Sequence, residues 1–535
     1  MIGWMDHLVI APIVVPMLAG AAMILAGDRR RRLVVGIGGV SLALIMALAI
    51  ALLLRAQVPE VRIYRLGDWP TLFGIVLVTD RLSALMLVLT ACLGLAAFLF
   101  SLAKWQRAGV YFHPLFQFQL MGLNGAFLTG DLFNLFVFFE VMLAASYGMA
   151  LHGSGVARVR AGLHYLTINL VASLLFLVGV SVVYGIAGTL NMADLAARIP
   201  LVAVEDRGLV EAGLAVMGVA FLIKAAMWPL GFWLPGTYAA AAAPAAAILS
   251  ILSKVGIYAI LRVWLLLFGP EAGASAGFGA DWLLVGGLLT IAFGGIAVLA
   301  TQDLPRLAGA SVLVSSGTLL AAIGTGQAAV TGGALYYLAG SVLAIGALFL
   351  LIELAERARE VGADVLAVTR EAMGPGEEEE EAEAEETGVA IPGILAILGL
   401  SFMACALLLA GLPPLSGFLA KFAILSPLLG TAPAPIPTTT WLLMVALILS
   451  GLATLIAMAR AGIAVFWVGQ ASRVPRVRVV ELAPVLLLLA LSGALTLGGG
   501  PALAYMQATA DQLHAPGDYL RAVLGARAVL TGGTP

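Results

Sequence analysis

Charge is the scarcest feature of this 535-residue chain. Asp, Glu, Lys and Arg make up 11% of it, against 62% hydrophobic residues and a mean hydropathy of +1.06. Soluble domains carry about 25% charged and about 45–50% apolar residues. So little charge cannot cover a soluble body of this size, which leaves a polytopic membrane protein. Positive charge has no excess either: the formal net charge of −2 excludes a basic face for nucleic acid. Cysteine is nearly absent. Cys92 and Cys405 both lie in apolar runs and make neither a disulfide framework nor a cysteine-rich metal site. The four lysines are followed by Trp105, Ala225, Val255 and Phe422, so no phosphate-binding loop exists and a P-loop ATPase is excluded. No dinucleotide-binding glycine pattern stands on a strand–helix turn, which argues against an NAD-binding subunit. The residues imply neither a cofactor nor a metal.

What is present is a series of long apolar runs. A spanning helix needs about 20 apolar residues. Such runs occur in about 14 places: 8–26, 33–54, 79–103, 112–129, 131–150, 162–188, 210–235, 243–268, 282–300, 306–325, 329–353, 391–427, 440–468 and 482–499. Asp6 and His7 precede the first run and Arg29–Arg32 follow it, so it reads as an uncleaved span rather than a signal peptide. Loops after odd-numbered spans carry Arg29–Arg32, Lys104, Arg107, Arg158, Arg160, Arg306, Arg357, Arg359, Arg370, Arg473, Arg476 and Arg478. Loops after even-numbered spans carry mainly Arg55, Arg62, Arg65, Arg198 and Arg207. The positive-inside rule then makes the first set cytoplasmic and puts both termini outside the plasma membrane. Residues 377–386, with eight Glu in ten positions, read as a solvated loop, and the tail after Gly500 as an amphipathic surface helix.

Lysine is rarer still: four, Lys104, Lys224, Lys254 and Lys421, against 24 arginines. Three of the four, Lys224, Lys254 and Lys421, sit inside apolar runs, as does Glu140. A charge at mid-membrane costs at least about 2.5–3.5 kcal/mol. Glu140 also fits a structural ion pair, and Lys254 a side chain snorkelling to an interface. The choice of lysine favours a use. Arginine stays protonated, whereas a desolvated lysine can release its proton. A chain that spends arginine elsewhere and lysine here meets the requirement of a proton relay. The lysines also adjoin helix breakers: Pro229 and Pro235 follow Lys224, and Pro413 and Pro414 precede Lys421. Broken helices at corresponding places in two halves point to an inverted-repeat transporter with its ion path at the breaks. Asp131, Asn134, Thr167, Asn169, Tyr238, Ser250, Ser253, Ser315, Ser316 and Ser341 supply polar support on these spans, and His113 and His164 lie near span ends.

These stretches resemble a known superfamily. Lys224-Ala-Ala-Met-Trp-Pro-Leu-Gly-Phe-Trp-Leu-Pro-Gly-Thr-Tyr238 is similar to the discontinuous seventh helix of antiporter-like proton-translocating subunits, found in respiratory complex I and in Mrp-type cation/proton antiporters. Thr129-Gly-Asp-Leu-Phe-Asn-Leu-Phe-Val-Phe-Phe-Glu140 looks like its fifth helix. Gln302-Asp-Leu-Pro-Arg306 and Leu412-Pro-Pro-Leu-Ser-Gly-Phe-Leu-Ala-Lys-Phe422 extend the match over nearly the whole chain. Gly67-Asp-Trp-Pro70, Gly74-Ile-Val-Leu-Val-Thr-Asp-Arg-Leu-Ser83, Trp233-Leu-Pro-Gly-Thr-Tyr238, Ala334-Leu-Tyr-Tyr-Leu338 and the lysine at 421 most resemble the D-type subunit of Mrp antiporters.

The resemblance implies an all-α membrane protein of about 14 helices, with helices 7 and 12 discontinuous. Residues 1–110 would hold helices 1–3, 111–270 the first antiporter-like half, 271–470 the second with an acidic cytoplasmic loop at 371–388, and 471–535 the last helix and tail. It implies Glu140 and Lys224 as the essential pair, with Lys254 and Lys421 continuing the proton path. It also implies a large A-type subunit and several small membrane subunits as partners, with protons exchanged for Na⁺ or another monovalent cation. A membrane subunit of a redox-driven pump is the rival reading, and a non-transporting scaffold a second. Gly231, Tyr238, Gly340 and Pro305 replace His or basic residues of relatives, which implies that water fills part of the path.

Overall fold

The computed structural model describes residues 6–57, 60–71, 74–109, 111–373, 393–430, 436–466 and 477–525. The acidic stretch 377–386 lies outside them. Eleven helices among the described residues are long and apolar enough to cross a membrane, and two apolar helices are shorter. In chain order come α1 (Ala11–Ala26), α2 (Arg31–Arg55), α3 (Arg81–Ser101), α4 (Phe112–Leu128), α5 (Leu132–Ala150), α6 (Val156–Ala187) and a short α7 (Met192–Arg198). Next are α8 (Val204–Lys224), α9 (Trp233–Ala240), α10 (Ala243–Leu267), α11 (Ala280–Ala300), α12 (Leu304–Gly324) and α13 (Ala328–Met373). Then follow α14 (Gly393–Ala410), α15 (Ser416–Leu429), α16 (Thr438–Phe466), α17 (Val479–Leu497), α18 (Gly499–His514) and α19 (Gly517–Gly525).

The core lies along α10, α12 and the first part of α13, which are enclosed on nearly all sides. Small residues allow this closeness. A Cβ on Gly287 would lie 2.3 Å from Ala321 N, and one on Gly317 would lie 2.6 Å from Ile291 N, so α11 and α12 meet backbone to backbone. The outer helices expose apolar side chains such as Leu174, Ile296 and Ile448, as a lipid- or partner-facing surface requires.

Two features add to the expectation. The segment between α2 and α3, read as a loop, carries a strand pair: β1 (Arg62–Arg65) pairs antiparallel with β2 (Val76–Thr79), Arg62 opposite Thr79 and Arg65 opposite Val76. Val76-Leu-Val-Thr79 is rich in β-branched residues, which favour a pleated surface. The tail, expected as one surface helix, forms α18 and α19 and docks inward. Met506, Ala510, Leu513, Tyr519 and Val523 are buried, Tyr505 Oη donates to Arg81 O at 2.9 Å, and Thr331 Oγ1 bonds His514 Nε2 at 3.0 Å.

The tail also covers a buried ion pair that nothing in the local sequence marks. Arg262 lies in a π-helical turn of α10, Ile260–Trp264. Its two terminal nitrogens donate to the two oxygens of Asp80 at 2.6 and 2.7 Å, with the guanidinium between the rings of Tyr258 (5.6 Å) and Tyr519 (5.3 Å). Asp80 meanwhile caps α3, accepting from Ser83 N at 2.9 Å. One carboxylate thus fixes the start of α3, the kinked end of α10 and the tail. Removing one partner of a buried pair costs about 3–5 kcal/mol. Arg262→Met is therefore expected to lower the thermal midpoint of the solubilised protein by several degrees; an unchanged midpoint would contradict this role.

Candidate functional site

Two helix ends frame the site, and they share one backbone design. α8 ends at Lys224; Ala226 takes a left-handed conformation (φ +58°), and Met227 N reaches back to Leu222 O at 3.0 Å. α14 ends at Ala410; Gly411 is left-handed (φ +77°), and Leu412 N bonds Leu407 O at 3.1 Å. Both are the six-to-one closure of a helix C-terminus. Each is followed by a cis proline, Pro229 after Trp228 and Pro414 after Pro413, and then by a glycine pressed against the helix just ended. A Cβ on Gly231 would meet Ala226 O at 2.2 Å, and one on Gly417 would meet Leu408 O at 1.9 Å. Pro235 sits in the first turn of α9, where no intrahelical donor is needed, and packs against Gly309 of α12.

Glu140 and Lys224 approach the same two turns of α6 without forming an ion pair. Ser173 Oγ donates a short hydrogen bond to Glu140 Oε1 and lies 3.0 Å from Asn169 O. Lys224 Nζ donates to Asn169 Oδ1 at 3.4 Å and stands 4.8 Å from the centre of the Phe139 ring. The Asn169 amide is held by its Nδ2, which donates to Tyr165 O at 2.9 Å. Lys224, Asn169, Tyr165, Trp233 and Leu252 help line a void with about 10 Å³ open to a water's centre, room for about one water.

Lys254 is fully buried on α10 and donates to Ser316 Oγ of α12 at 3.3 Å. Beside it Ser315 Oγ donates to Ser341 Oγ at 3.0 Å, joining α12 to α13. Ser416 Oγ is buried without a protein partner and faces the space left by Gly340, whose added Cβ would lie 3.5 Å away. Lys421 reaches back from α15 to the break: Nζ donates to Ala410 O at 2.8 Å, the end of α14, and to Leu447 O at 3.3 Å. A helix C-terminus carries partial negative charge, so this is a favourable seat for a cation. Among the described residues, none of the three buried ammoniums forms an ion pair with a carboxylate.

Other expected polar groups serve the scaffold. Asp131 caps α5, accepting from Asn134 N at 2.9 Å, and Asn134 Nδ2 donates to Thr129 Oγ1 at 2.9 Å. Tyr238 Oη donates to Leu249 O at 2.6 Å, fastening α9 to α10. Ser250 and Ser253 donate to carbonyls of their own helix, Ala247 O and Ser250 O. His113 is packed between the rings of Phe98 and Phe112, while His164 and Thr167 lie on the exposed face of α6. Ser173 is not marked by the sequence; its only signal is its place four residues after Asn169. Among the described residues, no group of three His, Cys, Asp or Glu side chains could hold a metal.

The model of the NADH:quinone oxidoreductase/Mrp antiporter transmembrane family matches residues 129–453. The D-type subunit of a probable K⁺/H⁺ antiporter from Rhizobium meliloti (strain 1021) is 57% identical, over 98% of this chain and 99% of its own length. The chain belongs to this family, on the branch of the Mrp D-type subunits. Within it, the D-type subunit of the Na⁺/H⁺ antiporter of Alkalihalophilus pseudofirmus is 33% identical over 97% of this chain and 100% of its own. A chain in the solved Mrp complex of a Dietzia species superposes with a TM-score of 0.81 at 26% identity, covering 97% of this chain and 99% of that one. Membership makes the protein a multi-pass membrane transporter subunit rather than a catalytic enzyme.

Gly451 of α16 makes room for the Lys421 ammonium of α15. A Cβ there would lie 2.8 Å from Nζ and 2.6 Å from Ala410 O. Gly451→Ala is expected to displace the ammonium and cut ion exchange about ten-fold or more while the protein still accumulates, as loss of hydrogen bonds to a charged group does. Gly295→Ala, whose Cβ would stand 3.9 Å from Ser450, should leave exchange unchanged. Equal rates in the two variants would contradict the assignment.

Proposed function

We propose that this chain is the proton-translocating D-type subunit of a multisubunit monovalent cation/proton antiporter in the plasma membrane. The observation that carries the relay is the condition of its three buried lysines. Each ammonium is held by neutral acceptors: an asparagine oxygen for Lys224, a serine hydroxyl for Lys254, and two main-chain carbonyls for Lys421. A lysine locked to a carboxylate would keep its proton; one held by neutral dipoles can give it up. Glu140 and Lys224 take up the proton as a coupled pair. Lys254 passes it along the Ser316 side of α12, and Lys421 delivers it at the second break. Two unit charges about 4 Å apart at an effective dielectric near 20 interact by about 4 kcal/mol, so drawing Glu140 and Lys224 together or apart switches whether the amine holds its proton. Cation movement elsewhere in the complex drives that switch.

In this reading α8 with α9, and α14 with α15, are the halves of discontinuous helices 7 and 12 among 14 spans. The two antiporter-like repeats occupy 111–270 and 271–470, and both termini face outward. The partners are a large A-type subunit and several small membrane subunits. Relatives named for K⁺ and for Na⁺ flank the choice of cation, and the one with 57% identity is named for K⁺, so K⁺ is the first to test.

The test uses inside-out vesicles that carry the chain with its co-encoded partners and hold a preformed ΔpH, with no redox substrate present. K⁺ or Na⁺ should collapse ΔpH in the wild type. Glu140→Ala and Lys224→Ala should each slow the collapse at least about a hundred-fold, the scale on which positioned proton donors act, in complexes that still assemble. Wild-type collapse in either variant would refute the pair. A ΔpH that ignores both cations but is generated by NADH would assign the chain to a redox-driven pump.

A further inference from the structure

Glu140 and Lys224 are linked through α6 rather than to each other, and the link is divided. Ser173 Oγ contacts two acceptors, Glu140 Oε1 and Asn169 O, yet a hydroxyl has a single hydrogen to donate. While Glu140 is ionised, that hydrogen goes to the carboxylate. Once Glu140 takes a proton, its own O–H can donate to Ser173 Oγ, and the serine hydrogen turns to the Asn169 carbonyl. In both arrangements the Ser173 hydroxyl stays partnered, and no hydrogen is lost or gained beyond the one proton on Glu140. One turn away, Asn169 Oδ1 holds the Lys224 ammonium, and its orientation is fixed by the Tyr165 carbonyl. Ser173 and Asn169 are 7% and 3% exposed, so water from outside does not substitute freely for either.

We propose that Ser173 and Asn169 are positioning residues that hold the open state of this switch, in which Glu140 and Lys224 are not joined in a direct ion pair and the amine is free to release its proton. The proposal rests on the relay reading above. Other titratable groups do not fill this role. Tyr165 on α6 bonds Ser146 Oγ at 2.6 Å, and Tyr258 of α10 bonds Phe127 O. His113 of α4, Tyr238 of α9 and Lys254 of α10 make no hydrogen bond or ion pair to Glu140. Without the Ser173 hydroxyl, the ionised carboxylate loses its donor, and the Lys224 ammonium, held one turn away on α6, is the cation that can replace it. An aspartate at 169 would place a negative charge on the ammonium directly. Both changes lock the proton on the amine.

The experiment compares Ser173→Ala, Ser173→Thr and Asn169→Asp with Glu140→Gln and Lys224→Ala in the same inside-out vesicles, reading K⁺- and Na⁺-driven ΔpH collapse at matched levels of assembled complex. Ser173→Ala and Asn169→Asp are expected to slow exchange about ten-fold or more, as loss or change of a hydrogen bond to a charged group does. Ser173→Thr, which keeps the hydroxyl, should stay within about three-fold of wild type, a rescue that a packing role would not give. Wild-type rates in Ser173→Ala, or equal loss in Ser173→Ala and Ser173→Thr, would overturn the proposal. If Ser173→Ala fails to assemble, Asn169→Asp decides, being nearly isosteric: a wild-type rate there overturns it. Wild-type exchange in Glu140→Gln and Lys224→Ala would instead overturn the relay reading itself.

Discussion

An ammonium inside a bilayer must find acceptors, because no bulk water is there to supply them, and the choice of acceptor decides whether it can ever let go of its proton. This constraint organises the protein. Lys421 lies against Ala410 O, the carbonyl end of α14, and Lys224 is the last residue of α8. The ends of α8 and α14 are thus more than bends. Each supplies a terminus in the interior of the fold, and a terminus offers unpaired carbonyls and a dipole without a full negative charge. Acceptors of this kind hold a cation but do not fix its proton.

The opposite choice is made at the buried end of α10. Asp80 and Arg262 form a bidentate pair between two aromatic rings, an arrangement suited to a permanent charge. Arginine cannot release its proton, and the pair is spent on holding α3, α10 and the tail together. The division of labour is chemical: arginine with a carboxylate for architecture, lysine with neutral dipoles for the proposed path. Lys254 and Arg262 lie eight residues apart on one helix, so α10 carries both roles.

Much of this was legible in the sequence because its signals are local. Proline beside glycine near Lys224 and Lys421 marks a helix end whatever surrounds it, and helices end at Lys224 and Ala410. Four lysines among 24 arginines required only counting. What escaped depends on contacts between distant segments. Ser173 is an unremarkable hydroxyl in an apolar helix until Glu140 is brought beside it from 33 residues away. Arg262 sits near the end of an apolar run, where a snorkelling side chain reads the same as a buried one; its partner lies 182 residues earlier. Asp131, read from the sequence as polar support, caps α5, accepting from Asn134 N. The strand pair at 62–79 was not legible because each strand spans only four residues, too few to show a period of two.

The central claim is that Lys224 must be able to discharge, not merely be positive. Lys224→Arg addresses it most directly, since it preserves the charge and most of the length while removing the ability to release a proton. Cation-driven ΔpH collapse should fall at least about a hundred-fold in assembled Lys224→Arg complexes, as far as it falls without the amine. Turnover at the wild-type rate in that variant would contradict the account, because a permanently charged side chain would then serve the path as well as a titrating one.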